Sequence, residues 1–120
     1  MRFTRSKYRA VRTEVNGITF ASKAEAKRYE HLLLAGECGD IRNLELQPRF
    51  PLMVAGQRVC DYVADFRYEQ RGVRLKLQSG TVEDIWTDVV EDVKGMPTPV
   101  YRLKKKLLKA CHGIDVQEVR

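Results

Sequence analysis

Residues 89–95, VVEDVKG, bring a carboxylate and an amine together at a spacing that could do chemistry. Side chains alternate between the two faces of a strand, so Asp92 and Lys94 share one face with Val90, and Glu91 lies on the other. A carboxylate there can hold a divalent cation, and the lysine can hold or polarise an attacking water. An Asp-x-Lys pair in a strand is more often a surface ion pair, so the spacing alone leaves both interpretations open.

Asp65 is the second candidate, because it stands in the otherwise apolar run 61–68, DYVADFRY. If this strand pairs with 89–94, Asp65 and Asp92 converge on one hard cation. Mg²⁺ suits such a pair best, since it takes a few carboxylates and keeps several waters and a substrate phosphate. Asp65 also fits a strand end or a turn, in which case no metal site follows.

Glu25 has two interpretations. It stands three residues after Ser22, which is the spacing of a capping box, and a capping glutamate needs no further role. It also shares a helical stripe with Tyr29 and Leu32, which turns its carboxylate towards the sheet that the helix would cover. We therefore predict that Glu25 serves both as a cap and as a site residue.

Composition excludes several classes of protein. At 120 residues the chain predicts one domain spanning 1–120. Its longest apolar runs have four residues, far short of the ~20 that a membrane span needs, and the basic N-terminus leads into no apolar segment of a signal peptide. Three widely spaced cysteines and two histidines argue against a disulfide framework and a zinc site and fit reduced thiols in a cytoplasm.

The net charge of +6 is unevenly spread along the chain. Residues 1–12, a basic N-terminal arm, carry five basic side chains and no acid, residues 94–110 carry six bases and no acid, and residues 61–92 hold eight acids against four bases. Basic flanks attract a polyanion, whereas carboxylates repel phosphate unless they have another task. Ordinary solvated charge explains the same distribution about as well. The candidate DNA contacts are Arg5, Lys7, Arg9, Arg12, Arg102, Lys104, Lys105, Lys106 and Lys109.

The first two-thirds of the chain contains clear turn and cap signals. A hairpin of Tyr8–Val15 and Ile18–Phe20 turns at Asn16-Gly17, and a helix begins after Ser22 and ends at Gly36. Further strands are predicted at 40–47 and 89–94, a second hairpin pairs 50–54 with 59–68 through a turn at 55–57, and an additional hairpin turns at 79–80.

The C-terminal part predicts a helix between two strands. Thr98 and Pro99 fit the N-cap and first position of a helix over 99–111, and residues 114–119 form the last strand. The apolar stripe of this helix comprises Val100, Leu103, Leu107 and Cys111. A strand, a crossover helix and a strand imply a parallel pair. The expected fold is therefore α/β, with a mixed β-sheet flanked by helices, core order α-β-β-β-α-β and an N-terminal β-hairpin.

The order of acids on these elements resembles the PD-(D/E)XK nuclease superfamily, which includes restriction endonucleases, very-short-patch repair nucleases and archaeal Holliday-junction resolvases. The residues that carry the resemblance are Glu25, Asp65 and Asp92-Val93-Lys94. More closely, the chain is similar over about residues 7–119 to a small uncharacterised phage and prophage family. The matching phrases are GITFASKAEAKRYEHLLLAG, IRNLELQPRFPL, YVADFRY, VVEDVKG and TPVYRLKKKLL.

The resemblance implies a restriction-endonuclease-like fold and a role for each position. Asp65 and Asp92 would be the metal-binding acids, with the carbonyl of Val93 as a third ligand, and Lys94 would orient the attacking water. Glu25 matches the acid on the first helix, which often binds the metal through water. Two further positions stand apart. Gln47 belongs to a Gln-Pro phrase found in some relatives and is a candidate accessory residue. The interval between Asp65 and Asp92 is longer than in close relatives, so residues 70–88 are expected to be an insertion.

We therefore expect a Mg²⁺-dependent DNA endonuclease, with Mn²⁺ able to substitute, that leaves 5′-phosphate and 3′-hydroxyl ends. A domain of this size has little surface for reading bases, which favours cleavage of branched or junction DNA by a homodimer that makes two nicks. The expected setting is the cytoplasm of a bacterial host, with a phage or prophage gene, no membrane contact and no organic cofactor.

Two alternatives from other functional classes stay open. The first is a non-catalytic module for binding DNA or a phage protein on the same fold, which would tolerate loss of the acids or the lysine. The second is a basic structural or ribosome-associated protein, which explains the lysines and leaves the acidic centre without a role.

Overall fold

The fold begins with the hairpin that the Asn-Gly turn predicts. The computed structural model describes residues 11–94 and 97–119, and within them β1 (Thr13–Val15) pairs antiparallel with β2 (Ile18–Phe20). Asn16 and Gly17 take φ values of 52° and 77°, the two positive values that a type I′ turn needs. The hairpin is confirmed from Thr13 onward, and the start of the predicted first strand lies outside the described residues.

Helix α1 (Lys23–Glu37) begins at the predicted cap. The Ser22 hydroxyl accepts the N–H of Glu25 at 3.2 Å, and the Glu25 carboxylate accepts the N–H of the residue before Ser22 at 3.0 Å. The cap is therefore reciprocal, as in a capping box, with one bond placed one residue further out. The helix continues one residue past the predicted end at Gly36, because the left-handed turn falls on Gly39, with φ 80°.

Four strands form the central sheet in the order β3-β6-β7-β8. They are β3 (Ile41–Leu46), β6 (Phe66–Lys76), β7 (Val82–Val93) and β8 (Gln117–Val119). The first three run antiparallel, and β8 pairs parallel to β7 after helix α2 (Pro99–His112). The mixed α/β fold with an N-terminal hairpin is confirmed, and this sheet with its two helices follows the order α-β-β-β-α-β.

The predicted second hairpin is confirmed and interrupts that order between β3 and β6. Strands β4 (Arg49–Val54) and β5 (Gln57–Val63) pair with each other in a sheet of their own. The prediction of one strand over 59–68 is wrong, because the chain leaves this small sheet after Val63 and enters the central sheet at Phe66. Asp65 therefore stands at the junction between two sheets and not inside a strand.

Residues 70–88, the expected insertion, form the outer part of the β6–β7 hairpin. The two strands keep an antiparallel register out to Lys76 and Val82, with an irregularity between Arg71 and Arg74. The chain turns where predicted, and Gly80 has a φ of 85°. This segment lengthens two central strands and forms no unit of its own; that it is an insertion relative to other chains stays a prediction.

Helix α2 has the predicted cap but buries a different face. The Thr98 hydroxyl accepts the N–H of Tyr101 at 3.1 Å. The predicted apolar stripe is wrong, because Val100 and Leu103 are 63% and 59% exposed whereas Leu108 is completely buried. Lysines also lie on the buried face of α2. This is possible because the long lysine stems cover apolar surface while their ammonium groups stay in water.

Two hydrophobic clusters lie on opposite faces of the central sheet. The cluster under α1 consists of Phe20, Ala26, Tyr29, Leu32, Ile41, Phe66 and Tyr68. The cluster between the sheet, the β4–β5 hairpin and α2 consists of Phe50, Leu52, Tyr62, Ala64, Val90, Leu108 and Val116. Strand β7 lies between them, so its successive side chains face different clusters. In the described ranges, neither helix has the length and apolar character needed to cross a membrane.

Candidate active site

Asp65 and Asp92 face each other at the edge of the β6–β7 pair. The register pairs Phe66 with Glu91, so the next residues outward, Asp65 and Asp92, lie opposite each other. Each carboxylate accepts a backbone N–H from the other strand: Asp92 Oδ1 from Asp65 at 2.9 Å, and Asp65 Oδ2 from Val93 at 2.7 Å. The structure therefore brings together the two acids that the sequence singled out.

Asp92 is buried and is touched by neutral groups. The residue is 1% exposed, and its second carboxylate oxygen accepts the hydroxyl of Tyr62. Burial raises the pKa of Asp92, although the Tyr62 hydrogen bond and the charge of Lys94 act in the other direction. A buried carboxylate without a charged partner is costly as an anion. A cation placed beside Asp92 would remove that cost.

The pKa of Asp65 departs further from its ordinary value than the pKa of Asp92 does. Burial and a hydrogen bond with the Glu25 carboxyl together raise the pKa of Asp65 to about 7, against the Val93 N–H and the Lys94 charge, which lower it. The two acids, Asp65 and Glu25, therefore lie within hydrogen-bonding reach of each other. Carboxyl groups crowded in this way bind either a proton or a metal ion, and perturbed groups of this kind cluster at functional sites.

Glu25 and Gln47 reach the same place from two other elements. A cavity of about 210 Å³ is lined by Glu25, Gln47, Asp65 and neighbouring apolar side chains. Gln47 lies in the left-handed region at φ 50°, and its N–H donates to the carbonyl of Asp65 at 2.9 Å. Strained backbone of this kind is concentrated at functional sites. Glu25 caps its helix as predicted and lines the cavity next to Asp65, and its role as a site residue stays a prediction. Gln47 supports the backbone of Asp65.

Lys94 lies beside the carboxylate pair on the α2 side. Its charge lowers the pKa of both Asp65 and Asp92, which places the ammonium within electrostatic reach of both. The Nζ of Lys94 lies 4.8 Å from the centroid of the Tyr101 ring. The backbone N–H of Lys94 donates to the carbonyl of Val119 at 3.0 Å. The structure therefore places Lys94 near Asp65 and Asp92.

The carboxylate oxygens of Asp65 and Asp92 suit a hard cation that is bound by only a few protein ligands. Within residues 11–94 and 97–119, no three or more His, Cys, Asp or Glu side chains are arranged to enclose a metal ion. Mg²⁺ does not need such a cage, because it is held by one or two carboxylates together with waters and phosphate. Asp65 and Asp92 are suited to that mode. Val93 enters the site through its N–H, and its carbonyl as a third ligand stays a prediction.

The predicted DNA contacts are dispersed. Arg5, Lys7 and Arg9 lie outside the described residues, and Arg12 is exposed. Four side chains of α2, namely Arg102, Lys105, Lys106 and Lys109, line one open groove of about 610 Å³ beside β8.

The basic side chains of α2 differ in their partners. Lys105 and Lys109 form ion pairs with Glu118 and Asp115, and Lys104 turns away to donate to the carbonyl of Asp61 at 3.3 Å. In the described part of the chain Arg102 and Lys106 form no ion pair, so these two are the α2 cations most available to phosphate.

Sequence reasoning missed a buried ion pair on the opposite face of β7. Glu91 is 1% exposed and accepts two hydrogen bonds from the Arg28 guanidinium, at 2.7 and 3.0 Å, and one from the Tyr68 hydroxyl at 2.6 Å. The hydrogen bond to Glu91 raises the pKa of Arg28. The strand parity that placed Glu91 on the α1 face was the available signal, but nothing in the sequence identified Arg28 as its partner.

Comparison with known proteins gives one finding. Residues 5–118 match the family described as "protein of unknown function (DUF1064)". No curated protein and no solved structure matches the chain significantly. Because the family match spans nearly the whole chain, including all four residues grouped at the site, this protein belongs to the DUF1064 family.

Proposed function

We propose that this protein is a Mg²⁺-dependent endodeoxyribonuclease that hydrolyses phosphodiester bonds. The observation that carries the proposal is the Asp65–Asp92 pair, in which two carboxylates face each other without an arginine or lysine at ion-pair distance in the described residues. Glu25 and Lys94 adjoin this pair. The proposal is supported by the resemblance to PD-(D/E)XK nucleases, whose acids and lysine occur in the same order on an α-β-β-β-α-β core.

Each residue has a defined task in this proposal. When bound, Mg²⁺ polarises the phosphate and lowers the pKa of a bound water. Asp65 and Asp92 hold the ion, and their own geometry is fixed beforehand by the backbone N–H groups they accept. Lys94 places a positive charge where negative charge develops on the phosphate. Glu25 accepts a hydrogen bond from water on the cavity side of Asp65.

The substrate we propose is branched or junction DNA in the metabolism of a phage or prophage in a bacterial cytoplasm. Arg102 and Lys106 on α2 and Arg12 near the N-terminus would contact phosphates without reading bases. A homodimer would supply the two cuts that a junction requires. The chain offers few side chains for base readout, which favours recognition of DNA shape over sequence.

One observation favours a second candidate function, a non-catalytic DNA-binding or protein-interaction module on the same fold. Both oxygens of Asp92 already accept hydrogen bonds, from Tyr62 and from the backbone of Asp65. In that case the carboxylate would serve structure alone, by joining Tyr62 of β5 and the backbone of Asp65 to β7. The two candidates differ in whether metal ions act on the protein.

A cleavage assay on a panel of DNA shapes tests the first candidate. Purified protein is incubated with Mg²⁺ or Mn²⁺ and with linear, nicked, flapped and four-way DNA. We expect cleavage of the branched substrates, with products that a DNA ligase can reseal because they carry 5′-phosphate and 3′-hydroxyl ends. With Ca²⁺ we expect binding without cleavage.

A matched pair of variants separates catalysis from contamination and from unfolding. Asp92→Asn keeps the size of the side chain and removes its charge, so cleavage is expected to fall by about 10²–10³-fold. Asp88→Asn changes an exposed acid on the same face of β7, paired with Arg67, and should leave cleavage unchanged. Equal activity in both variants would remove the proposed metal site, and binding without cleavage in any metal would support the second candidate.

A further inference from the structure

Lys94 is held by an aromatic ring and not by an acid. Its Nζ lies 4.8 Å from the centroid of the Tyr101 ring, which is within the range of a cation–π contact. Among the residues that the structure describes, no carboxylate lies within ion-pair distance of Lys94, whereas Lys105 and Lys109 both have an acidic partner. The ring of Tyr101 is therefore the specific contact of this ammonium group.

Tyr101 is itself fixed at the start of α2. Its N–H donates to the Thr98 hydroxyl at 3.1 Å in the helix cap, and its ring packs against the ring of Tyr62 with centroids 6.3 Å apart. Tyr62 in turn donates to Asp92. The two tyrosines thus form a layer beneath the site, in which one ring faces Lys94 and one hydroxyl faces Asp92.

The Tyr101 hydroxyl makes no close hydrogen bond of its own, although the neighbouring Tyr62 hydroxyl and Glu118 carboxylate both act on its pKa. It is buried and has no hydrogen-bond partner among the described residues. Burying a hydroxyl without a partner destabilises a protein. The contribution of Tyr101 to the site therefore comes from its ring, and a phenylalanine at this position would supply the same ring.

We propose that Tyr101 is the positioning residue for Lys94. Its ring keeps the ammonium beside Asp65 and Asp92, where Lys94 meets the phosphate, instead of letting the flexible lysine stem extend into solvent. Because Tyr101 belongs to α2, it also links this helix to the site. The catalytic part of this inference rests on the proposed nuclease function, and the contact between Tyr101 and Lys94 does not.

Two variants separate the ring from the hydroxyl. Tyr101→Phe keeps the ring, and Tyr101→Met replaces it with a flexible apolar chain of similar reach. In protein labelled with ¹³C-lysine, the side-chain protons of Lys94 should show an upfield ring-current shift, assigned by its disappearance in Lys94→Arg. We expect the shift to persist in Tyr101→Phe and to be lost in Tyr101→Met. This measurement needs neither metal nor DNA.

Kinetics on the cleaved DNA provide the second measurement. We expect kcat to fall about 2- to 30-fold in Tyr101→Met with KM little changed, which corresponds to the ~0.5–2 kcal/mol of a cation–π contact. Tyr101→Phe keeps the ring that contacts Lys94 and should therefore retain more of the parent kcat than Tyr101→Met does. Binding of the same DNA in Ca²⁺ should be equal in all three proteins.

The outcomes that would overturn the proposal are distinct from failure of the nuclease hypothesis. An unchanged Lys94 shift in Tyr101→Met, or equal loss of kcat in both variants, would show that the ring does not position Lys94. If Tyr101→Met does not fold, Tyr101→Leu takes its place, and Tyr101→Phe still reports on the hydroxyl. If the parent protein cleaves no DNA, the proposed function fails while the lysine spectra still decide the contact.

Discussion

Glu91 and Asp92 are neighbours on β7, both 1% exposed, and they illustrate two different ways of burying a carboxylate. Glu91 faces α1, where the Arg28 guanidinium binds both of its oxygens and Tyr68 adds a third hydrogen bond. Asp92 faces α2, where it accepts hydrogen bonds from Tyr62 and from a backbone N–H, and where another carboxylate, Asp65, lies opposite. The charge of Glu91 is neutralised by a bidentate arginine, whereas Asp92 has no ion-pair partner among the described residues and only the more distant charge of Lys94 acts on it.

This difference distinguishes a structural acid from a candidate site residue. Burial alone does not, because both residues are equally buried. A carboxylate with a bidentate arginine is complete as an anion and holds two elements together. A carboxylate whose direct contacts are neutral donors and another acid lacks an ion-pair partner, and a proton or a metal ion can take that place. The predictions below test whether the two faces of β7 differ in this way.

The largest effect on stability is expected at Glu91. Glu91→Gln leaves the partly buried Arg28 without its counter-charge, so the free energy of unfolding should fall by about 3–5 kcal/mol. Urea unfolding followed by circular dichroism measures this change. Asp88→Asn serves as the control, because its pair with Arg67 is exposed and should contribute less than about 1 kcal/mol. A small effect at Glu91 would mean that the α1 face tolerates an unpaired arginine. The proposed difference between Glu91 and Asp92 would then be wrong.

Asp92→Asn should behave in the opposite way. Removing an uncompensated buried charge leaves the free energy of unfolding unchanged or raises it. Mg²⁺ at about 100 times its dissociation constant should stabilise the parent protein by about 2.7 kcal/mol, and this gain should vanish in Asp92→Asn while persisting in Asp88→Asn. Thermal melting with and without Mg²⁺ is the measurement. A Mg²⁺ gain that survives in Asp92→Asn would place the ion elsewhere.

The stability of the metal-free protein should depend on pH through Asp65. Its folded pKa of about 7 lies above the unfolded value of about 3.9, so the folded state holds the extra proton. The stabilisation is fully present below about pH 4 and is lost as the pH rises to about 7, with a slope of at most about 1.4 kcal/mol per pH unit.

Asp65→Asn is the control for that pH dependence. The groups that face Asp65 are Glu25 from α1, Lys94 and Asp92 from β7 and its end, and the Val93 N–H. Subtracting the curve of Asp65→Asn from that of the parent isolates the aspartate from the other acids. A flat difference between pH 4 and 8 would contradict a proton held in the carboxylate pair.

The smallest expected effect concerns DNA contacts on the α2 side of β7. Replacing Arg102 and Lys106 by glutamine should reduce the slope of log binding against log salt by about 1.8, since each phosphate contact contributes about 0.9. Replacing Lys105 and Lys109 instead should change the slope less, because each of these lysines is already paired with an acid. Fluorescence anisotropy on duplex and junction DNA in Ca²⁺ measures both. Equal slopes in the two double variants would place the DNA on another surface.

Local signals in the sequence predicted much of the fold. The Asn16-Gly17 turn, the Ser22 cap and the Thr98-Pro99 start of α2 depend on backbone geometry within a few residues, and such geometry is determined by residue type. Strand parity likewise placed Asp92 and Lys94 on one face. The exposed Val100 stripe was mispredicted, because which side of an amphipathic helix is buried depends on how it packs against the sheet.

The sequence by itself determined the two helices, the turns and caps, and the acids and lysine that could form a site, but not where one strand ends and the next begins around Asp65. Only the tertiary structure decided how those charges are partnered. Arg28 and Glu91 are separated by 63 residues, and the Tyr101 ring lies between Tyr62 and Lys94 because α2 packs against the β4–β5 hairpin. The chain also breaks between β5 and β6 at Asp65, which turns its carboxylate to Val93. Long-range contacts decide whether a buried carboxylate meets an arginine or another acid, and no local pattern encodes that choice.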